Sequence, residues 1–180
     1  DGAVIIRGDR VVSATCYLPL TASQDLGKEL VIMDMDFDSV VNSVAGIGEV
    51  SKCDIAMAGL TVKEDRKEYV NFTESYYNAA QKLIVTSDNK EFDNCADAAA
   101  VEAILNGKDS SVKVGVQTGT TGQFYAEGDA DWGFAGFAMQ TVGYKNGSMA
   151  VQDLLNGNIQ YVIIDSAPAA CITEAINELQ

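Results

Sequence analysis

Apolar residues come in short runs divided by stretches of Gly, Asn, Asp and Ser, and the spacing changes along the chain. At the front, Ala3-Val4-Ile5-Ile6, the turn pair Gly8-Asp9 and the β-branched and aromatic run from Val11 to Tyr17 predict a hairpin over residues 2–20. Pro19 ends it, and the polar piece from Thr21 to Glu29 has room for a helical turn or two. From Leu30 strands and helices alternate. Leu30-Val31-Ile32-Met33 predicts a strand, and Phe37, Val40, Val41 and Val44 recur at helical spacing. Asp54 to Gly59 reads as a buried strand entering a Gly turn, and Leu83 to Thr86 as another strand before a polar loop from Ser87 to Asn94. Ala96 to Leu105 is an Ala-rich helix stopped by Asn106-Gly107. Val112 to Val116 is a strand that opens, through Thr118-Gly119-Thr120-Thr121-Gly122, into an apolar helix carrying Phe124 and Tyr125. Ser148 to Leu155 is a helix stopped by Asn156-Gly157, Tyr161 to Ile164 a last strand, and Pro168 sits in the first turn of a last helix. Repeated βα units with continuously apolar strands predict an α/β fold with a mostly parallel sheet.

Composition narrows the function. The chain has 180 residues, 47% hydrophobic and 21% charged, the balance of a globular protein. It starts at Asp1 without a Met and shows no signal-peptide pattern, which suggests a fragment or a processed form. Twelve Lys and Arg against 26 Asp and Glu leave a net charge of −14, a field that repels nucleic acid. The absence of His removes Ser-His, Cys-His and His-metal arrangements, so neither a metal nor another cofactor is expected. Cys16, Cys53, Cys95 and Cys171 contain no Cys-x-x-Cys pair, and their three possible pairings stay open beside four buried thiols.

Ligands of open α/β sheets bind beyond the carboxyl ends of the strands, and three predicted strand ends carry polar residues. Ala58, Gly59 and Thr61 follow one, with Arg66 a short turn later; Gln117 to Gly122 follow the second; Asp165 ends the third. Arg66 can grip a carboxylate through two parallel hydrogen bonds. The N–H groups of the Thr118–Gly122 turn offer a second anion contact, and Asp165 can take an ammonium. Carboxylate on one side and ammonium on the other is the pattern of a free α-amino acid. Singly, each residue has a plainer reading. Arg66 has Glu64, Asp65 and Glu68 nearby for surface ion pairs, Asp165 suits an N-cap, and Trp132, Phe134, Phe137 and the pair Tyr76-Tyr77 suit a core. Together, three polar strand ends in one α/β chain favour a small-molecule cleft.

Three motifs then fall in order. Residues 54–77 read DIAMAGLTVKEDRKEYVNFTESYY, residues 114–122 VGVQTGTTG, and residues 156–168 NGNIQYVIIDSAP. This pattern resembles the polar amino-acid-binding proteins of ABC importers, in the type II periplasmic-binding family, over residues 27–180. The resemblance implies an extracytoplasmic, monomeric, non-catalytic two-lobed α/β clamp that holds one free amino acid and docks, when whole, on an ABC permease. By position, Ala58 and Gly59 match backbone contacts to the ligand ammonium, and Thr61, Arg66 and Thr121 match holders of its carboxylate. Asp165 matches the ammonium partner and Gln117 a variable position beside the ligand. Against the family pattern the first strand and the segment after the last helix are missing, and residues around Gly46–Glu49 lengthen a loop. The expected organisation is therefore a front hairpin segment over 1–30, a partial lobe one over 31–77 and a nearly complete lobe two over 78–180. The secreted setting that the resemblance implies makes a Cys95–Cys171 disulfide the natural pairing to look for.

The front segment has a second resemblance. Residues 1–20, DGAVIIRGDRVVSATCYLPL, are similar to the start of a diadenylate cyclase domain, whose Asp-Gly-Ala motif matches Asp1 to Ala3. That family also uses an Arg-His-Arg motif for ATP phosphates, and this chain has no His. The pattern changes at Leu26-Gly27-Lys28-Glu29-Leu30, so a non-functional fusion fragment or a cyclase remnant stands as the alternative to amino-acid binding.

Overall fold

In the computed structural model of the protein, the described residues are 5–7, 10–12, 27, 29–31, 33, 35–46, 53–75 and 78–179. The chain divides into two compact units, Asp1–Asn78 and Ala79–Gln180.

In the first unit, β1 (Ile5–Arg7) and β2 (Arg10–Val12) pair antiparallel with Arg7 opposite Arg10, so a two-residue connection joins them, the hairpin that the Gly8-Asp9 pair predicts. β3 (Glu29–Leu30) adds to β2 in parallel. The strand expected over Leu30–Met33 is thus confined to its start. Helix α1 (Phe37–Ala45) follows the predicted helical spacing and ends at Gly46, whose φ of 68° is the left-handed cap that glycine adopts without strain. Asp54–Gly59 is not a strand. Ala56, Ala58 and Leu60 pack toward Val40 and Cys53, whereas Asp54, Ile55 and Gly59 face solvent. An apolar run that is covered on one side only, without a ladder partner among the described residues, has no reason to become a central strand. One-turn helix α2 (Glu64–Lys67) follows.

The second unit holds a four-stranded sheet in the order β4 (Gln81–Ile84), β7 (Tyr161–Asp165), β5 (Lys113–Gln117), β6 (Gln140–Tyr144). β7 and β6 run parallel to β5, while β4 runs antiparallel to β7. β7 explains the arrangement. Val162 and Ile164 point to one face, with Ala150, Val151, Leu154 and Ala169 of helices α5 (Gly147–Leu155) and α6 (Ser166–Glu178). Tyr161 and Ile163 point to the other, with Leu105 of α3 (Ala98–Asn106) and Ala126 of α4 (Thr121–Glu127). A strand covered on both faces needs an unbroken apolar run, and each large aliphatic buried there contributes about 1.5–3 kcal/mol. Gly115 lets β5 pass close to α5, because a Cβ there would lie 2.6 Å from Ile159 Cδ1 and 3.4 Å from Ala150 Cβ. The aromatics of residues 124–137 form a chain of edge-to-face contacts, Phe124–Trp132–Phe134–Tyr125–Phe137, which is their plainer core reading. Tyr76 and Tyr77 lie outside the described residues.

Cys95 and Cys171 are free thiols, so the Cys95–Cys171 pairing is not formed; Cys16 lies outside the described residues. No helix among the described residues is long and apolar enough to cross a membrane.

Candidate ligand-binding site

Four of the predicted contacts belong to one short stretch of the first unit. Gly59 sits at φ 59°, a left-handed turn that a side chain would strain, and it faces solvent next to the half-buried Ala58. Two residues later the Thr61 carbonyl accepts a hydrogen bond from Arg66 Nη1 at 2.9 Å, so the turn into α2 brings the guanidinium back onto the Thr61 main chain. Burial draws the Arg66 pKa down, opposed by neighbouring Asp65, yet a guanidinium stays charged at any physiological pH. Two of the acids beside Arg66 pair with lysines. Asp65 pairs with Lys63 Nζ at 3.1 Å and Glu64 with Lys67 Nζ at 2.6 Å. Lys63, which the sequence did not single out, is 8% exposed, a charged residue buried in the stretch between Thr61 and Arg66.

The other three predicted contacts share one edge of the second unit's sheet. Val116 lies opposite Ile163 in the parallel β5–β7 pair, so Gln117 and Asp165 end adjacent strands at the same edge. Gln117 Nε2 donates to the Lys145 carbonyl at 3.4 Å, which turns its amide along the edge. Asp165 caps α6: Oδ1 accepts from Ser166 N at 2.8 Å and from Ala80 N at 3.2 Å. One oxygen is thus anchored by two main-chain donors, while Oδ2 has no hydrogen bond among the described residues. Thr121 is the first residue of α4, after the N-cap Thr120.

The Thr118–Gly122 turn offers less than its sequence suggests. Thr118 N donates to Tyr144 O at 2.9 Å, Gly119 N to Gln123 Oε1 at 2.8 Å, and Thr120 N to Gln117 O at 3.3 Å. Three of the five N–H groups are thus already taken, one by the Tyr144 carbonyl of β6, one by the Gln123 side chain of α4 and one by the Gln117 carbonyl. Sequence reasoning also missed Gln81. It lies directly opposite Asp165 in the β4–β7 ladder, and its buried Oε1 has no hydrogen-bond partner among the described residues. Only the strand register could have revealed it. Among the described residues no three His, Cys, Asp or Glu side chains gather to hold a metal.

Comparison with known proteins supplies the context. Residues 21–170 match the family described as bacterial extracellular solute-binding proteins, family 3. The chain is 27% identical over 134 residues to the L-arginine-binding protein of Pseudomonas aeruginosa, which covers 74% of this chain and 44% of that protein. It is 27% identical over 154 residues to the histidine-binding periplasmic protein of Salmonella typhimurium, 81% of this chain and 52% of that one. The chain therefore spans about half the length of these curated relatives. Among solved structures, the ancestral amino acid-binding protein AncCDT-1, a precursor of cyclohexadienyl dehydratase, superposes with a TM-score of 0.70 at 26% identity, over 88% of this chain and 62% of that one. These matches support the resemblance to polar amino-acid-binding proteins and give none to the cyclase resemblance; Asp1 to Ala3, which carried it, lie outside the described residues. With the α/β fold of two-lobed periplasmic binding proteins and a family of solute binders rather than enzymes, the chain belongs to the bacterial extracellular solute-binding proteins, family 3.

Proposed function

We propose that this chain binds a free amino acid outside the cytoplasm, as the solute-binding component of an ABC importer, and that the amino acid carries a cationic side chain, L-arginine first. The anchored carboxylate of Asp165 carries the reading. Two backbone N–H groups fix one oxygen, so the other is already oriented for an ammonium and little ordering entropy remains to be lost on binding. Arg66, held against the Thr61 carbonyl, is the matching cation for the ligand carboxylate, with Thr61 and Thr121 as further donors. Ala58 and Gly59 offer backbone groups to the ammonium, and Gln117 stands where the ligand side chain would pass.

The cationic preference rests on charge as well as on relatives named for arginine. A net charge of −14 with no His attracts a ligand of net positive charge and repels an acidic one. The partner of the whole protein would be an ABC permease. The test is a thermal-melt screen against single L-amino acids, on the wild-type chain and on Arg66→Ala. A ligand present at a hundred times its Kd should add about 2.7 kcal/mol. L-Arginine should shift the wild type, and Arg66→Ala should abolish the shift. A cooperative melt that no amino acid moves would contradict the reading and favour a non-functional fragment.

A further inference from the structure

The pair Gln81 and Gly122 is unused by the site as described, and its geometry is unusual. A Cβ built on Gly122 would lie 2.8 Å from Gln81 Oε1 and 3.0 Å from the Ile163 carbonyl oxygen. The first turn of α4 is therefore seated on the β7 backbone, with the Gln81 amide filling the space beside it. Both neighbours matter to the proposed site: Gln81 faces Asp165 across the ladder, and Gly122 follows Thr121. One further observation weighs against a role in stability alone. A buried Oε1 without a donor costs free energy that an apolar side chain of the same size would avoid. Gln81 is thus the less stable choice at its position, whereas Gly122 is required by the close approach of α4 to β7.

We propose that Gln81 and Gly122 are positioning residues: together they set how deeply the first turn of α4 sits on β7, and so where Thr121 stands relative to Asp165. Gly122 permits the close approach, and the Gln81 amide limits it. The inference rests on the amino-acid-binding reading and concerns only the carboxylate end of the ligand. It therefore separates the two ends. Disturbing the contact should weaken a ligand through its carboxylate and leave the ammonium and the side chain alone.

The test is calorimetric titration of the folded chain with L-arginine and with L-argininamide, which keeps both cationic groups and lacks the carboxylate. Gly122→Ala should weaken L-arginine about tenfold, roughly one charge-assisted hydrogen bond, and leave L-argininamide within twofold of wild type. If Gly122→Ala does not fold, Gln81→Ala serves, since it removes the prop without adding bulk, and should show the same split. Gln81→Met preserves the volume and removes the orphaned oxygen. It should retain L-arginine affinity within about threefold and melt at or above the wild-type temperature. Equal losses for both ligands, or no loss for either Ala variant, would overturn the proposal while leaving amino-acid binding intact. A wild-type chain that binds no amino acid would overturn the reading beneath it as well.

Discussion

Asp165 shows how one side chain serves two purposes whose mutational signatures differ. As the N-cap of α6 it needs only an acceptor, and Asn supplies one as well as Asp does. As the proposed ammonium partner it needs a negative charge. Asp165→Asn should therefore leave the melting temperature nearly unchanged and weaken amino-acid binding about tenfold to a hundredfold, read by titration calorimetry. Asp165→Ala should lose both, with an added cost of about 0.5–2 kcal/mol in a denaturant melt. The sequence pointed to both roles at this position, because an acid between an apolar strand and a helix start suits either; the two anchoring N–H groups, from Ser166 and the distant Ala80, required the structure. Gly115 makes a second residue-level case. Its Cβ would strike Ile159 and crowd Tyr144, so Gly115→Ala should cost about 1–3 kcal/mol of unfolding free energy, although the position lies within a β-strand where Gly is otherwise a weak choice.

Among elements, those with strong periodicity were legible and those set by tertiary pairing were not. α3 and α5 fall within a residue or two of their predicted spans, with Asp97 and Asn146 as side-chain N-caps, and Pro168 stands in the first turn of α6 as expected. β6 was missed: Gly143 interrupts the run Thr141-Val142-Gly143-Tyr144, and only parallel pairing with β5 makes it a strand. Asp54–Gly59 erred in the opposite sense, an apolar run without a ladder. The connection from β4 to α3 is pinned at Glu91, which pairs with Lys108 and accepts a hydrogen bond from the Tyr161 hydroxyl. Lys108 first, then Tyr161, holds the Glu91 carboxyl below its ordinary value of 4.5, and Glu91 raises Lys108 above 10.5. A lowered carboxylate pKa stabilises the fold above its ordinary value, and that stabilisation is lost as pH falls through the lowered one; the raised Lys108 pKa has the opposite sense, its contribution present below 10.5 and lost above. Glu91→Gln should accordingly lower the melting temperature at pH 7 and converge with wild type in strong acid, measured as melts across a pH series. Both side chains keep part of their surface in water, so the effect is modest.

For the whole molecule, charge and family motifs carried the reading further than secondary structure did. The motifs over residues 54–77, 114–122 and 156–168 were recognisable because they match a family pattern in order and spacing. Gln81 was not, because a lone Gln gains meaning only from what lies across the ladder. The net charge of −14 has its own consequence: association with a cationic amino acid should slow as salt rises and screens the field, whereas an uncharged amino acid should associate at a rate nearly independent of salt, both measurable by stopped-flow fluorescence of Trp132. The most direct check on amino-acid binding is calorimetric titration of the wild-type chain with L-arginine. Saturable binding of one L-arginine per chain is expected, lost in Arg66→Ala and weakened about tenfold to a hundredfold in Asp165→Asn. A sample that melts cooperatively yet gives no saturable heat with L-arginine or with any other amino acid would contradict it.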